Sequence, residues 1–304
     1  MRDTLSNTLV ALARADPNVL LLTGDHGYAL FDAFRRACPN QYINAGIAEQ
    51  NMVGMAAGLA KAGYLPIVYG LSAFIPIRVL EQIKLDVCHD NLPVIFLGDG
   101  AGFVYSTLGS SHQATEDIAC TRAISNLMIF SPADAFELRA CMQMAYKSKS
   151  PSYIRIGKSD VGKVHDSEIT LEPGEIIQVR EGIKNIAILA TGSMVMTAIE
   201  VSSTIESPVW SVPIIKPINN NCLVKNLAHM KLVITMEEHN IIGGMGSSIA
   251  ECLSERLPVR VLRIGVNDKY SHSCGSYDYL RIEHELDVAS VTNKITKFLQ
   301  VNGI

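Results

Sequence analysis

Basic residues are in no excess in this chain: 26 Lys and Arg stand against 30 Asp and Glu, a net charge of −4. A broad cationic face for nucleic acid is thereby excluded. Long apolar runs are missing as well; none approaches the roughly 20 residues that a helix needs to cross a bilayer. Met1-Arg2-Asp3-Thr4 opens nothing like a secretory signal. Paired cysteines are also lacking, because the seven (Cys38, Cys88, Cys120, Cys141, Cys222, Cys252, Cys274) are scattered with no Cys-x-x-Cys. An odd number at wide spacing argues against a disulfide framework or zinc site and for reduced thiols in a cytoplasmic enzyme. Most read as small core residues.

What is present fits a well-buried α/β protein: 304 residues, 48% hydrophobic and 18% charged, enough for two domains. Short apolar runs at Val19 to Thr23, Leu65 to Tyr69, Pro93 to Leu97, Leu127 to Phe130 and Ser152 to Ile156 read as strands. Helical patterns lie between them at 51–62, 77–89 and 133–147, with Ser131 as cap and Pro132 in the first turn of the last. From Gly157 to about Lys184 the chain turns polar, the character of a linker. A second series follows, with strands at Asn185 to Ala190, Pro208 to Val212, Lys231 to Met236 and Pro258 to Ile264. Its helices are expected near 194–204, 221–228, 244–256 and 288–299. The alternation predicts two tandem open, mainly parallel-sheet α/β domains, 1–160 and 185–304, joined by a linker at 161–184.

Candidate chemistry gathers just beyond strand ends, where ligands of open α/β sheets collect. Glu49, in Gly46-Ile47-Ala48-Glu49-Gln50-Asn51-Met52, stands at the start of a helix rich in small residues. Such a carboxylate either aims into a cleft, with a raised pKa suited to acid–base work, or only satisfies the helix start. His26, His112 at the end of a glycine- and serine-rich loop, and Lys158 occupy similar positions. Phe74 either stacks on a planar ring or fills core, while Arg78 and Glu81 read as a polar face or an ion pair on the next helix. Gly98-Asp99-Gly100 imitates a magnesium-binding turn, but one Asp and a doubtful Asn126 make a poor octahedral set, so it reads as a strand end. Gly243-Gly244-Met245-Gly246-Ser247 lies at a helix start and has the makings of an anion cradle. It misses the Gly-x-Gly-x-x-Gly dinucleotide pattern, and close backbone packing is the favoured reading.

Taken in order, several segments resemble the C-terminal half of transketolases and the small subunits of split transketolases. They are the Glu49 run; Ala73-Phe74 with Arg78 and Gln82; Gly109-Ser110-Ser111-His112-Gln113-Ala114 with Glu116-Asp117-Ile118-Ala119; Ser131-Pro132-Ala133-Asp134; Tyr153-Ile154-Arg155; and Glu237-Glu238-His239 with the glycine-rich loop. The resemblance spans nearly the whole chain. It implies a thiamine-diphosphate pyrimidine-binding domain and the family's C-terminal domain. Glu49 is then the acid that activates the aminopyrimidine, and Phe74 the aromatic beneath it. His112 is a polar group close to the thiazolium and substrate, and Asp25 an acid near the cofactor ring. Lys158 and Arg2 match phosphate-binding positions, with His26 beside the substrate. The family's diphosphate- and Mg²⁺-binding domain is not in this sequence. A large partner subunit is therefore expected to hold the Mg²⁺, in an α₂β₂ heterotetramer with thiamine diphosphate across the interface.

Three positions depart from the family's pattern: Leu108 replaces an acid, Gly100 a histidine and Ala29 a serine, all substrate contacts. The implied reaction is transfer of a two-carbon ketol unit from a ketose to an aldose-type acceptor, with a modified or nucleotide-linked sugar expected in place of ordinary pentose phosphates. Two rivals remain. One is the β subunit of a 2-oxoacid dehydrogenase, and the other a non-catalytic subunit of the same fold.

Overall fold

The computed structural model describes residues 1–158 and 162–303. Its strands in chain order are β1 (Val19–Thr23), β2 (Tyr42–Asn44), β3 (Leu65–Leu71), β4 (Ile95–Asp99), β5 (Met128–Phe130) and β6 (Ser152–Ile156). Then come β7 (Ile177–Arg180), β8 (Ile186–Ala190), β9 (Val209–Ser211), β10 (Ile214–Lys216), β11 (Leu232–Asn240) and β12 (Arg260–Val266). A seven-stranded sheet has the order β10-β5-β6-β4-β3-β1-β2 and a five-stranded sheet the order β12-β11-β8-β9-β7. Every pairing is parallel except β10 with β5 and β7 with β9. The expected architecture is therefore present. Central strands β1, β4, β6 and β8 are buried at every residue, as unbroken apolar runs covered on both faces must be.

Four local expectations need correction. The stretch 161–184, expected as a linker, supplies β7 to the edge of the second sheet; the boundary drawn at 160/161 lies outside the described residues. In the opposite direction β10 leaves the second series and pairs with Phe130 and Ile129 of the first sheet, so the sheets exchange chain. The helix expected at 77–89 is a succession of a 3₁₀ turn (Ile77–Val79), a short α turn (Leu80–Gln82) and a π-helical stretch (Ile83–Cys88). The cap of the helix Ala135–Ser148 is Asp134, not Ser131, because its carboxylate accepts from the amides of both Phe136 and Glu137. β11 also runs past the expected Met236, carrying Glu237, Glu238 and His239 into the ladder.

Two of these polar residues, Glu238 and His239, join the two halves. Strand alternation sends Glu237 and His239 to one face and Glu238 to the other. Glu238 accepts from the Phe103 amide of the first half at 2.7 Å, from Ser193 Oγ at 2.7 Å and from the Tyr277 hydroxyl. His239 Nε2 accepts from the amides of Ile118 and Ala119 at 3.2 and 3.3 Å. Glu237 accepts from the amides of Met245 and Gly246 at 2.7 and 2.8 Å, so the glycine-rich loop cradles a carboxylate of this chain. Among the described residues no helix is long and apolar enough to cross a membrane.

Candidate active site

The site lies beyond the carboxyl ends of β1, β3 and β4. The helix Glu49–Lys61 opens it, burying Glu49, Met52, Val53, Ala56, Ala57 and Ala60 at helical spacing. Anchoring along that face leaves the Glu49 carboxylate almost enclosed, with its side chain 8% exposed. Its Oε1 accepts from Arg78 Nη1 at 2.9 Å. The Arg78 guanidinium lies 4.0 Å from the Phe74 ring centroid, and the Phe74 ring meets the His112 ring edge-on at 5.3 Å. Glu49, Phe74 and His112, far apart in sequence, are thus one contiguous cluster, with Arg78 as its link. The ion pair expected of Arg78 with Glu81 on its own helix is not what the structure shows: the partner of Arg78 is Glu49.

His26 sits behind this cluster. A Cβ on Gly24 would approach its Cε1 to 2.9 Å, and a Cβ on Gly70 its Nε2 to 3.5 Å, so these glycines make room for the ring. Nε2 is buried without a hydrogen-bond partner among the described residues. Burial pulls the imidazole below its ordinary pKa against the opposing fields of Glu49, Asp99 and Asp25.

Asp99 ends β4, and its Oδ2 accepts from the Tyr69 and Tyr105 hydroxyls at 2.8 and 2.9 Å. Burial and the Asp99 carboxylate drive both phenols well above their usual range, so both stay protonated donors. Asn126, at positive φ, donates to the Cys88 carbonyl. Gly100 has φ +81°, and a Cβ there would stand 2.0 Å from Tyr105 Cε2, so the Tyr105 ring excludes any histidine from that position.

Of the remaining predicted residues, Asp25 stays beside His26, whereas Arg2 and Lys158 lie apart. Asp25 accepts from the Tyr28 hydroxyl at 2.8 Å. Arg2 lines a 580 Å³ cavity with Tyr28, Ala29 and Arg36. Lys158 lines a different cavity of 440 Å³ with Ser193, Tyr277 and Arg281, its Nζ 5.5 Å from the Tyr277 ring centroid. Sequence reasoning missed the buried Arg155–Asp117 pair at 2.8 Å, which receives the Tyr153 hydroxyl as well and pins the loop leading from His112. Only the position of Arg155, in a strand otherwise apolar but for Ser152 and Tyr153, gave a signal.

A buried acid, an aromatic face and two imidazoles thus stand at the ends of a mainly parallel sheet, followed by a second α/β unit. Residues 1–163 match the model of the transketolase pyrimidine-binding domain and residues 174–291 that of the transketolase C-terminal domain. An apulose-4-phosphate transketolase subunit from Actinobacillus succinogenes is 34% identical over 266 residues, 86% of this chain and 85% of that protein. A 6-deoxy-6-sulfo-D-fructose transketolase subunit of a Clostridium species is 31% identical over 287 residues, 92% and 88% of the two chains. A solved structure described as a split gene transketolase, inactive beta4 tetramer, superposes with a TM-score of 0.90 at 34% identity, covering 98% of each chain. This chain belongs to the transketolase family and comprises its pyrimidine-binding and C-terminal domains.

Proposed function

We propose that the chain is the small subunit of a thiamine-diphosphate-dependent transketolase that moves a two-carbon ketol unit from a ketose to an aldose-type acceptor. The observation that carries this reading is the Glu49 carboxylate, nearly enclosed and connected through Arg78 to Phe74 and His112. The residues fit the coenzyme: a shielded carboxylate for a ring nitrogen, an aromatic face for a flat heterocycle, and a buried imidazole nitrogen with no protein partner. When bound, thiamine diphosphate supplies the electron sink for cleaving the bond beside a ketose carbonyl.

With the coenzyme bound, Glu49 would hold the proton shared with its pyrimidine nitrogen, the enclosure of the carboxylate keeping water from competing. Phe74 would offer its ring to that heterocycle. His112 and His26 offer hydrogen bonds to substrate oxygens, with Asp25 nearby. Lys158 and Arg2, in cavities of their own, hold anionic ends. The large partner subunit carries the diphosphate and its Mg²⁺, in an α₂β₂ complex in the cytoplasm, and the small subunit alone is inactive.

The substrate is a sugar other than the ordinary pentose phosphates. Leu108, Gly100 and Ala29 take away three polar contacts; Gly100 is buried, and Leu108 and Ala29 are exposed in this chain. Two relatives are named for apulose 4-phosphate and for 6-deoxy-6-sulfo-D-fructose, the second a modified hexose by its name. The test reconstitutes the chain with its large subunit and measures ketol transfer from those two sugars and from xylulose 5-phosphate. Glu49→Gln should lower turnover at least about 100-fold, the range of acid–base catalysis. Full activity of that variant, or steady turnover by the small subunit alone, refutes the proposal.

A further inference from the structure

The loop carrying His112 is closed at its neck, where Gly102 and Ala114 exchange backbone hydrogen bonds of 2.9 and 3.0 Å. Between these residues the chain makes two 3₁₀ turns and has no sheet of its own to hold it. The Tyr105 hydroxyl on Asp99 and Arg155 on the Ala114 carbonyl hold it from the first domain; its other fixed points come from the C-terminal domain. At one end the Phe103 amide donates to Glu238, and the Phe103 ring stacks on His284 at 4.7 Å and 24°. At the other end Ser271 Oγ donates to Gln113 Oε1 at 2.8 Å and lies 2.9 Å from His284 Nε2.

The hydrogens in this chain can be assigned. Ser271 has one hydroxyl hydrogen, and Gln113 Oε1 takes it, so His284 Nε2 must donate to Ser271 Oγ. His284 Nδ1 is left bare, consistent with its burial without a partner. Gln113 is 5% exposed and His284 1%, while Ser271 between them is half-buried and Gln113 Nε2 is buried without a partner among the described residues; losing a partner in so enclosed a group is costly. Nothing in this relay touches the Glu49 cluster directly. It acts on the residue adjacent to His112; the His112 side chain lies 3.0 Å from Ser111 Oγ, its one hydrogen-bond partner among the described residues, and packs against Phe74.

The geometry points to a second role for the C-terminal domain: Ser271, ordered by His284, is a positioning residue that sets the place of His112 through Gln113. The domain is then a clasp on the substrate side of the active site as well as a structural partner. This inference rests on reading His112 as substrate-facing.

The test compares wild type, Ser271→Ala and Ser271→Thr. In the full chain, hydrogen exchange at residues 109–113 should speed up roughly tenfold in Ser271→Ala, while β3 and β4 keep their protection. With the large subunit present, the same variant should raise the acceptor KM by a similar factor, with kcat changed less and thiamine diphosphate affinity unchanged. Ser271→Thr, which keeps the hydroxyl, should restore both. Wild-type exchange rates in Ser271→Ala overturn the clasp, as does a loss of coenzyme affinity in step with KM. If the wild-type complex shows no ketol transfer, it is the functional reading that fails, and the exchange measurement alone still decides the clasp.

Discussion

The junction between β11 and the first domain makes the two buried neighbours Glu237 and His239 titrate in opposition. His239 Nδ1 lies 2.7 Å from the Asn240 carbonyl, which can only accept, so Nδ1 carries the hydrogen. Nε2 accepts two backbone amides, and a proton there would face both donors. Burial, opposed by Asp117 and reinforced by Arg155, lowers this imidazole from 6.5 to about 4. Glu237 is raised from 4.5 to about 7 by burial, against the two amides it accepts. Unfolded chains bind the extra proton on His239 between pH 4 and 6.5, so its contribution is present above that window and lost as pH falls through it. For Glu237 the native state binds the extra proton, so its contribution is present below pH 4.5 and lost as pH rises through 7. Each swing is about 3 kcal/mol, at about 1.4 kcal/mol per unit, and the two offset each other where their windows overlap.

Urea unfolding as a function of pH, followed by the fluorescence of the single tryptophan, Trp210 in β9, separates them. Relative to wild type, His239→Gln should gain about 3 kcal/mol on acidification from pH 7 to 4. Glu237→Gln should lose a similar amount over nearly the same range, and the double variant should track wild type. Parallel curves for wild type and both single variants would refute the assignment of a neutral imidazole and a high-pKa carboxyl at this junction.

Other perturbations reach separate parts of the molecule. Gly244→Ala would place a Cβ 2.2 Å from Glu237 Oε2 and 2.7 Å from His239 Nδ1; a loss of about 1–3 kcal/mol is expected from overpacking, read as a lower urea midpoint. Of the seven thiols Cys274 is exposed, Cys120 and Cys222 are half-buried and the other four are buried, with burial lifting Cys88 to about 12, so a thiol reagent should titrate Cys274 rapidly in the native chain, the half-buried pair more slowly and the four buried thiols on unfolding. Leu108 is exposed, so Leu108→Asp should leave stability unchanged; in the reconstituted complex it should improve use of xylulose 5-phosphate roughly tenfold if the lost acid is what excludes that sugar.

Much of the fold was legible because buried parallel strands announce themselves as unbroken apolar runs. Val19 to Thr23 and Ser152 to Ile156 were placed to the residue and the other predicted strands to within a few, while the three-residue β2 was not predicted. β7 and β10 were not legible: Ile177–Arg180 lies in a polar stretch, and Ile214–Lys216 is too short to carry a period. The Asp134 cap was missed because Ser131-Pro132 offers the same local signal, and two amide bonds to one carboxylate decided between them. At the site, Glu49, Phe74 and His112 could be named in advance, but not the guanidinium between them, since Arg78 in a polar helical pattern has many possible partners.

The order of residues alone determined the alternation of strands and helices, the paired α/β units and the identity of the candidate side chains, because apolar periodicity and short motifs act over a few neighbouring positions. Tertiary structure decided which groups meet. Arg78 reaches Glu49 across 29 residues, Phe103 reaches Glu238 across 135, and Ser271 reaches Gln113 across 158. Such pairings follow from the crossing order of the strands and the exclusion of water between packed layers, and neither of those is written in any one segment of the chain.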